Sequence, residues 1–147
     1  MLRFSVIAVG KIKDRSLAGL CDGFAERVRR QAKLEVAEVR DGTAAEEGGR
    51  LARALAKRRA DRVYALAEEG RMPTSAAFAE ELGAFEGRSV NFVVGGAYGL
   101  APEVKARADV CLSLSRMTFT HEVARMLLLE QLYRALAIRA GSPYHHG

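Results

Sequence analysis

Short apolar runs with a two-residue alternation repeatedly give way, along this chain, to stretches where apolar residues return every three or four positions. Leu2 to Val9 (L-R-F-S-V-I-A-V) predicts a strand with apolar residues on both faces near its end, closed by Gly10. Leu17, Leu20, Cys21, Phe24 and Val28 have helical spacing, which predicts an amphipathic helix over residues 14–31. Leu34 to Val39 alternates cleanly, as a half-buried edge strand does. After Asp41-Gly42-Thr43, a helix over 44–59 turns Leu51 and Leu55 inward. Arg62 to Leu66 predicts a short third strand, Ala67 to Pro73 a loop, and Thr74 or Ser75 the cap of a helix ending near Leu82 or Phe85. Ser89 to Val94 ends fully apolar, as a central parallel strand should. Pro102 suits the first turn of a short helix, Val110 to Leu112 forms a fifth strand, and residues 120–140 form a long final helix.

The order β-α-β-α-β-α-β-α-β-α specifies an α/β fold: a mostly parallel five-stranded sheet flanked by helices, with right-handed crossovers. No repeat or linker divides residues 1–147, so one domain is expected.

Half of the residues are apolar (49%) and 28% are charged, the balance of a globular protein. No apolar run reaches the ~18 residues of a membrane span, and Met1-Leu2-Arg3-Phe4 leads into a strand rather than a signal peptide. Cys21 falls on a helix's apolar face and Cys111 within a strand. Both are expected to be small buried hydrophobes rather than a disulfide or metal pair, which points to a reducing cytoplasm and no metal site. The net charge of +5 favours a polyanionic partner. It clusters at Arg27, Arg29, Arg30 and Lys33, again from Arg50 to Arg62, and along the last helix. Each cluster alone is also explained as a solvated helix face.

Open parallel sheets bind ligands at the carboxyl ends of their strands. Three such ends carry suggestive chemistry: Leu66 with the 67–72 loop, Gly95 to Leu100, and Ser113 to Thr120. Glycines in Gly95-Gly96-Ala97-Tyr98-Gly99 let a ligand approach bare backbone N–H groups. The spacing is neither the dinucleotide fingerprint nor a nucleoside-triphosphate loop, and a plain tight turn is the competing explanation. Leu114-Ser115-Arg116-Met117-Thr118-Phe119 joins a strand to a helix without a turn signal. Such a segment can surround an adenine with apolar side chains while backbone groups bond its edge. Alternatively, Ser115 and Thr118 satisfy the turn's own backbone. Thr120 is the expected N-cap of the last helix, with Glu122 favoured in its first turn.

The final helix carries more apolar residues than one sheet face can cover, including Val123, Met126, Leu127 to Leu129, Leu132, Tyr133 and Leu136. A homodimer interface accounts for the excess. Glu130 and Arg134 have i,i+4 spacing and can pair. The chain then ends on Tyr144, His145, His146 and Gly147, a phenol and two imidazoles where termini are usually uninformative.

Five ordered blocks carry a resemblance. V-I-A-V-G-K-I-K (6–13), V-V-G-G-A-Y-G-L (93–100), L-S-L-S-R-M-T-F-T-H (112–121), L-L-E-Q-L-Y-R-A (128–135) and the Tyr144-His145 ending resemble the small SPOUT-class methyltransferases that act on N3 of a pseudouridine in large-subunit (23S) ribosomal RNA. The resemblance implies a C-terminal trefoil knot, S-adenosylmethionine as methyl donor, an obligate homodimer and a substrate of ribosomal RNA in the large subunit or assembled ribosome. Carried over by position, it implies cofactor contacts at Leu66, Gly95 and Leu114, Ser115, Arg116, Met117, Thr118 and Phe119. It places Tyr144 and His145 beside the target base, with Arg125 and Arg134 holding phosphate or developing negative charge. The family typically has a basic residue after the terminal Tyr-His, and here that position is His146. His121 is expected to be a helix-start or pocket residue. Two other functions fit parts of the pattern: another SPOUT RNA methyltransferase, such as one acting on transfer-RNA ribose, or a non-enzymatic nucleotide- or RNA-binding α/β module.

Overall fold

A computed structural model describes all residues of the chain. Its elements are β1 (Arg3–Val9), α1 (Arg15–Arg29), β2 (Lys33–Val39), α2 (Ala44–Ala56), β3 (Arg62–Arg71), α3 (Ser75–Gly83), β4 (Ser89–Val94), α4 (Pro102–Ala106), β5 (Val110–Leu112) and α5 (His121–Arg139). The sheet has the order β2-β1-β4-β3-β5 and every pairing is parallel. The expected edge strand (β2) and central strand (β4) hold those positions.

Alternation along the strands divides the core into two layers. Phe4, Val6, Ala8, Tyr64, Val90, Phe92 and Val94 pack with Cys21, Val28, Phe78, Leu82 and the α5 residues Leu128, Leu129 and Leu132, which puts α1, α3 and α5 on one face. Ile7, Val9, Val63, Ala65 and Val93 pack with Leu51 and Val104 under α2 and α4. Cys21 is buried and Cys111 half-buried, and both are free thiols.

Helix starts follow the local chemistry. Asp14, Thr43, Thr74 and Thr120 each accept a hydrogen bond from a first-turn N–H, and Thr43 forms a full capping box with Glu46. Thr74, rather than Ser75, is the cap of α3. Glu122 does more than face the positive end of α5: its carboxylate accepts from the backbone N–H groups of Lys13 and Asp14. It ties the start of α5 to the start of α1.

One boundary differs from expectation. β3 continues to Arg71, where a five-residue strand and a loop were expected. Its register against β5 jumps from Leu66↔Leu112 to Arg71↔Leu112, so residues 67–70 bulge out while the backbone stays sheet-like. Gly70 makes the return possible, because a Cβ there would lie 2.6 Å from the Cys111 carbonyl. On either side of the bulge, the Tyr64 hydroxyl and the Arg71 guanidinium both donate to Glu81, at 2.5 and 2.6 Å, fixing this strand to α3.

Candidate active site

Strand register assembles the first half of the site. Val94, Leu66 and Leu112 lie at one level on three neighbouring strands, so Gly95, Ala67 and Ser113 open together at the carboxyl edge. Gly95 and Gly99 are held in a tight turn: the Gly99 N–H donates to Gly96 O at 3.0 Å. A Cβ on Gly95 would fall 2.5 Å from the Gly99 carbonyl carbon, and Gly99 has φ +71°, so both positions need glycine.

The segment 114–119 is neither helix nor strand. It is anchored at its ends: the Ser113 N–H donates to Arg71 O at 2.8 Å, and the Arg116 guanidinium donates to the carbonyls of Glu68 and Gly70. Arg116 therefore clasps the run 114–119 against the run that follows Leu66. Inside the turn, Ser115 Oγ accepts from Met117 N, as the plain structural explanation expects of Ser115, and Ser113 Oγ donates to Ser115 O, while the Thr118 hydroxyl makes no such bond. Met117 is 76% exposed, Tyr98 69% and Phe119 37%, large apolar groups open to solvent around this edge. Such surface calls for a cover. The edge can hold a flat ring between apolar side chains, with free backbone groups at its rim.

The C-terminal tail forms a separate cluster, folded back onto α5. The Arg134 guanidinium donates to Glu130 at 2.6 Å and lies 2.9 Å from His145 Nδ1. The Tyr144 hydroxyl donates to Glu130 at 2.7 Å, and its ring meets Tyr133 edge-on at 4.7 Å. Burial acts to raise the Glu130 pKa, but the bonds from Arg134 and Tyr144 outweigh it and hold the carboxyl below its usual range. Burial, followed by the bond to Glu130, raises the Tyr144 phenol. Tyr144 is thus a protonated donor, not a base. Glu130, expected only as a partner of Arg134, is the hub of this cluster; its i,i+4 spacing was the one signal in the sequence. His146 is exposed beside it, and His121 is half-buried in the first turn of α5.

Within one chain these two halves stay apart. Phe119 precedes the N-cap of α5, and Arg134 lies fourteen residues beyond that cap, about 20 Å along a helix. Arg125 joins neither half. It is 2% exposed, and its guanidinium donates to Glu38 at 2.5 Å and to Gly10 O at 2.7 Å. The structure does not bring Arg125 to the tail as expected; here its charge fastens α5 to the ends of β1 and β2.

The comparisons with known proteins agree with this fold. Residues 2–145 match the family model described as "Predicted SPOUT methyltransferase". The chain is 43% identical over 143 residues to the ribosomal RNA large subunit methyltransferase H of Synechococcus sp. (strain RCC307), covering 97% of this chain and 94% of the relative. It is 42% identical to the protein of the same name from Geobacter sulfurreducens, covering 99% of this chain and 100% of that one. The solved structure of a probable methylase family protein from Haemophilus influenzae Rd KW20 has the same fold, with TM-score 0.60 and 14% identity over 99% of this chain and 70% of that one. The chain belongs to the SPOUT methyltransferase family.

Proposed function

We propose that this protein transfers the methyl group of S-adenosylmethionine to N3 of a pseudouridine in 23S ribosomal RNA, in the cytoplasm, as a homodimer. The observation that carries it is the preformed Tyr144–Glu130–Arg134–His145 cluster on a family member whose full-length relatives are named ribosomal RNA large subunit methyltransferase H. S-adenosylmethionine is the donor used by this family. The edge formed by Leu66, Gly95 and Leu114 to Phe119 fits it: a Gly95 turn with no room for a side chain, a segment clasped by Arg116, and uncovered apolar groups for an adenine to pack on. When bound, the cofactor supplies an electrophilic methyl sulfonium, so the protein's task is positioning and charge.

N3 of the base is a weak nucleophile until its proton passes to solvent water, and negative charge then spreads onto the flanking carbonyls. Groups that donate toward those oxygens speed the step. Arg134 has only donors, so Nδ1 of His145 accepts from it and the imidazole proton sits on Nε2. His145 then presents an N–H to the base, backed by the Arg134 charge. Tyr144 and Glu130 hold both in place.

The separation of the halves supports the dimer, in which the tail of one protomer completes the cofactor edge of its partner. Met126, Leu127, Val123 and Tyr133 on α5 and the exposed Leu20 on α1 offer apolar surface for that contact. The proposal includes the trefoil knot that the family resemblance implies, with 114–120 tucked through the loop after β4; the bonds from Arg116 to the Glu68 and Gly70 carbonyls and from Ser113 to Arg71 hold the start of that segment against the end of β3.

Incubating the protein with labelled S-adenosylmethionine and ribosomes, then mapping 23S RNA by mass spectrometry, tests the proposal. A methyl group on N3 of one pseudouridine is expected. Methylation of transfer-RNA ribose, or binding of a different nucleotide without transfer, refutes it. If His145→Ala and Tyr144→Phe both leave single-turnover methylation unchanged, the tail is not catalytic.

A further inference from the structure

On the α2 face of the sheet, three neighbouring strands change character halfway along. Arg3 and Ser5 precede Ile7 and Val9 on β1. Lys33 and Glu35 precede Ala37 and Val39 on β2, and Ser89 and Asn91 precede Val93 on β4. The register sets these residues side by side, Arg3 with Lys33 and Ser89, Ser5 with Glu35 and Asn91. α2 covers only the apolar upper half, because it ends at Ala56 and its terminal turn turns Arg58 and Arg59 back over the polar half. The result is an open groove of about 340 Å³ lined by Arg3, Lys33, Glu35, Arg58, Arg59 and Ser89.

The groove keeps a net positive charge, because its cations outnumber the two carboxylates that pair with them, Glu35 and Asp61. Glu35 is neutralised by a two-pronged bond from Arg58 at 2.8 and 2.9 Å. Arg3 is held by neutral acceptors, Gly87 O at 3.0 Å and Ser89 Oγ at 3.3 Å, so its charge is positioned but not cancelled. Lys33 has no carboxylate partner, and Arg59 is 77% exposed with Asp61 no nearer than 3.7 Å. Next to Ser5 on the same face, Asn91 is 1% exposed with an Nδ2 donor that has no partner. A strand surface built to be apolar at one end and cationic at the other, with an arginine pre-ordered in it, suits a phosphate backbone.

We infer that this groove at the amino-terminal edge of the sheet is a second RNA-contacting surface, which binds backbone phosphates of the ribosomal substrate away from the methylated base. The inference rests on the function proposed above. A second contact of this kind gives these 147 residues a footprint beyond one nucleotide.

The test compares Lys33→Gln/Arg59→Gln with Arg15→Gln/Arg40→Gln, a pair of exposed cations at the opposite end of the sheet. Methyl transfer to ribosomes is followed over a series of salt concentrations, with S-adenosylmethionine binding measured by calorimetry. The groove variant should raise the apparent KM for ribosomes about tenfold and flatten the log–log salt slope by about 1.4 to 1.8, for two lost phosphate contacts. Its cofactor affinity should stay within twofold of the parent, and the control pair should keep the parental slope. An unchanged KM and slope in the groove variant, or an equal loss in the control, overturns the groove while leaving the methyltransferase proposal intact. A parent protein that transfers no methyl group to ribosomes removes both.

Discussion

Arg134 and His145 are joined through a 2.9 Å contact to Nδ1, so a side chain with only donors fixes which imidazole nitrogen keeps the proton. The tail imidazole should be the Nε2–H tautomer, visible in its ¹⁵N shifts at mildly alkaline pH. Arg134→Gln removes that constraint along with the backing charge. It should give a mixture of tautomers and lower single-turnover methylation about 10- to 100-fold, while cofactor binding is retained. A pure Nε2–H tautomer in the variant would show that something other than Arg134 sets it.

Glu130 gives the same cluster a signature in stability. Its folded pKa is held below the ordinary carboxylate value by Arg134 and Tyr144, against the opposing effect of burial. The unfolded chain therefore binds more protons in acid, and stability rises with pH through this region. The contribution is fully present above the unfolded carboxylate pKa of about 4.3 and is lost as pH falls through the folded value. Glu130→Gln should flatten that part of a urea-midpoint profile. Glu81, held down by Tyr64 and Arg71 against its own burial, contributes in the same direction. A single variant should therefore remove part of the slope, not all of it.

Gly95→Ala tests the turn. The new Cβ would meet the Gly99 carbonyl carbon at 2.5 Å, backbone against side chain with no flexible group to yield. Cofactor affinity should fall more than about tenfold with secondary structure retained. Gly10→Ala is the contrast. It has open space around the Cβ but φ +76°, so it should cost about 1 kcal/mol of stability and leave cofactor affinity alone. Equal affinity for the parent and the Gly95 variant would place the cofactor elsewhere.

Periodicity and cap chemistry made most of this fold legible before any coordinates. Every strand and helix was anticipated, because alternation in Leu34–Val39 and helical spacing in Leu17–Val28 are local properties. The tail of β3 was not, since Ala67-Glu68-Glu69-Gly70 has no alternation and becomes sheet-like only by pairing with β5. Arg125 is ambiguous for a related reason. An arginine in an apolar stripe could face a substrate or a carboxylate of its own chain, and only the packing of α5 against the end of β2 brings Glu38 to it. Register alone set Gly95 near Leu66. The folding-back of Tyr144 onto Glu130 had no sequence signal beyond the titratable groups themselves.

Arg125 can be probed directly. Removing it leaves two carbonyls without a donor and the exposed Glu38 carboxylate without its partner. Buried acceptors left unpaired cost about 1–3 kcal/mol, so a loss of about 2 is expected. Arg125→Met should therefore lower the melting midpoint by about 4–8 °C for a chain of this size. The rate of methyl transfer per folded molecule should hold. A variant with the parental midpoint and no methyl transfer would return Arg125 to the substrate.

The separation of Arg134 from the cofactor turn leads to the most discriminating experiment. If the tail serves its own chain, a protomer lacking His145 and a protomer lacking a working Gly95 turn are both inactive, alone or mixed. If it serves the partner, a heterodimer of His145→Ala with Gly95→Ala pairs one intact tail with one intact turn. One of its two sites is then whole. With random assortment half of the dimers are mixed, so co-expression should restore about a quarter of the parental activity to two otherwise inactive variants, by the symmetry of a two-fold interface. Each variant expressed alone should stay at background, and dilution below the dimer dissociation constant should abolish the restored activity. Background activity in the mixture, with both chains folded and heterodimers verified by mass spectrometry, would show that the tail reaches the turn of its own chain through a rearrangement of residues 140–147.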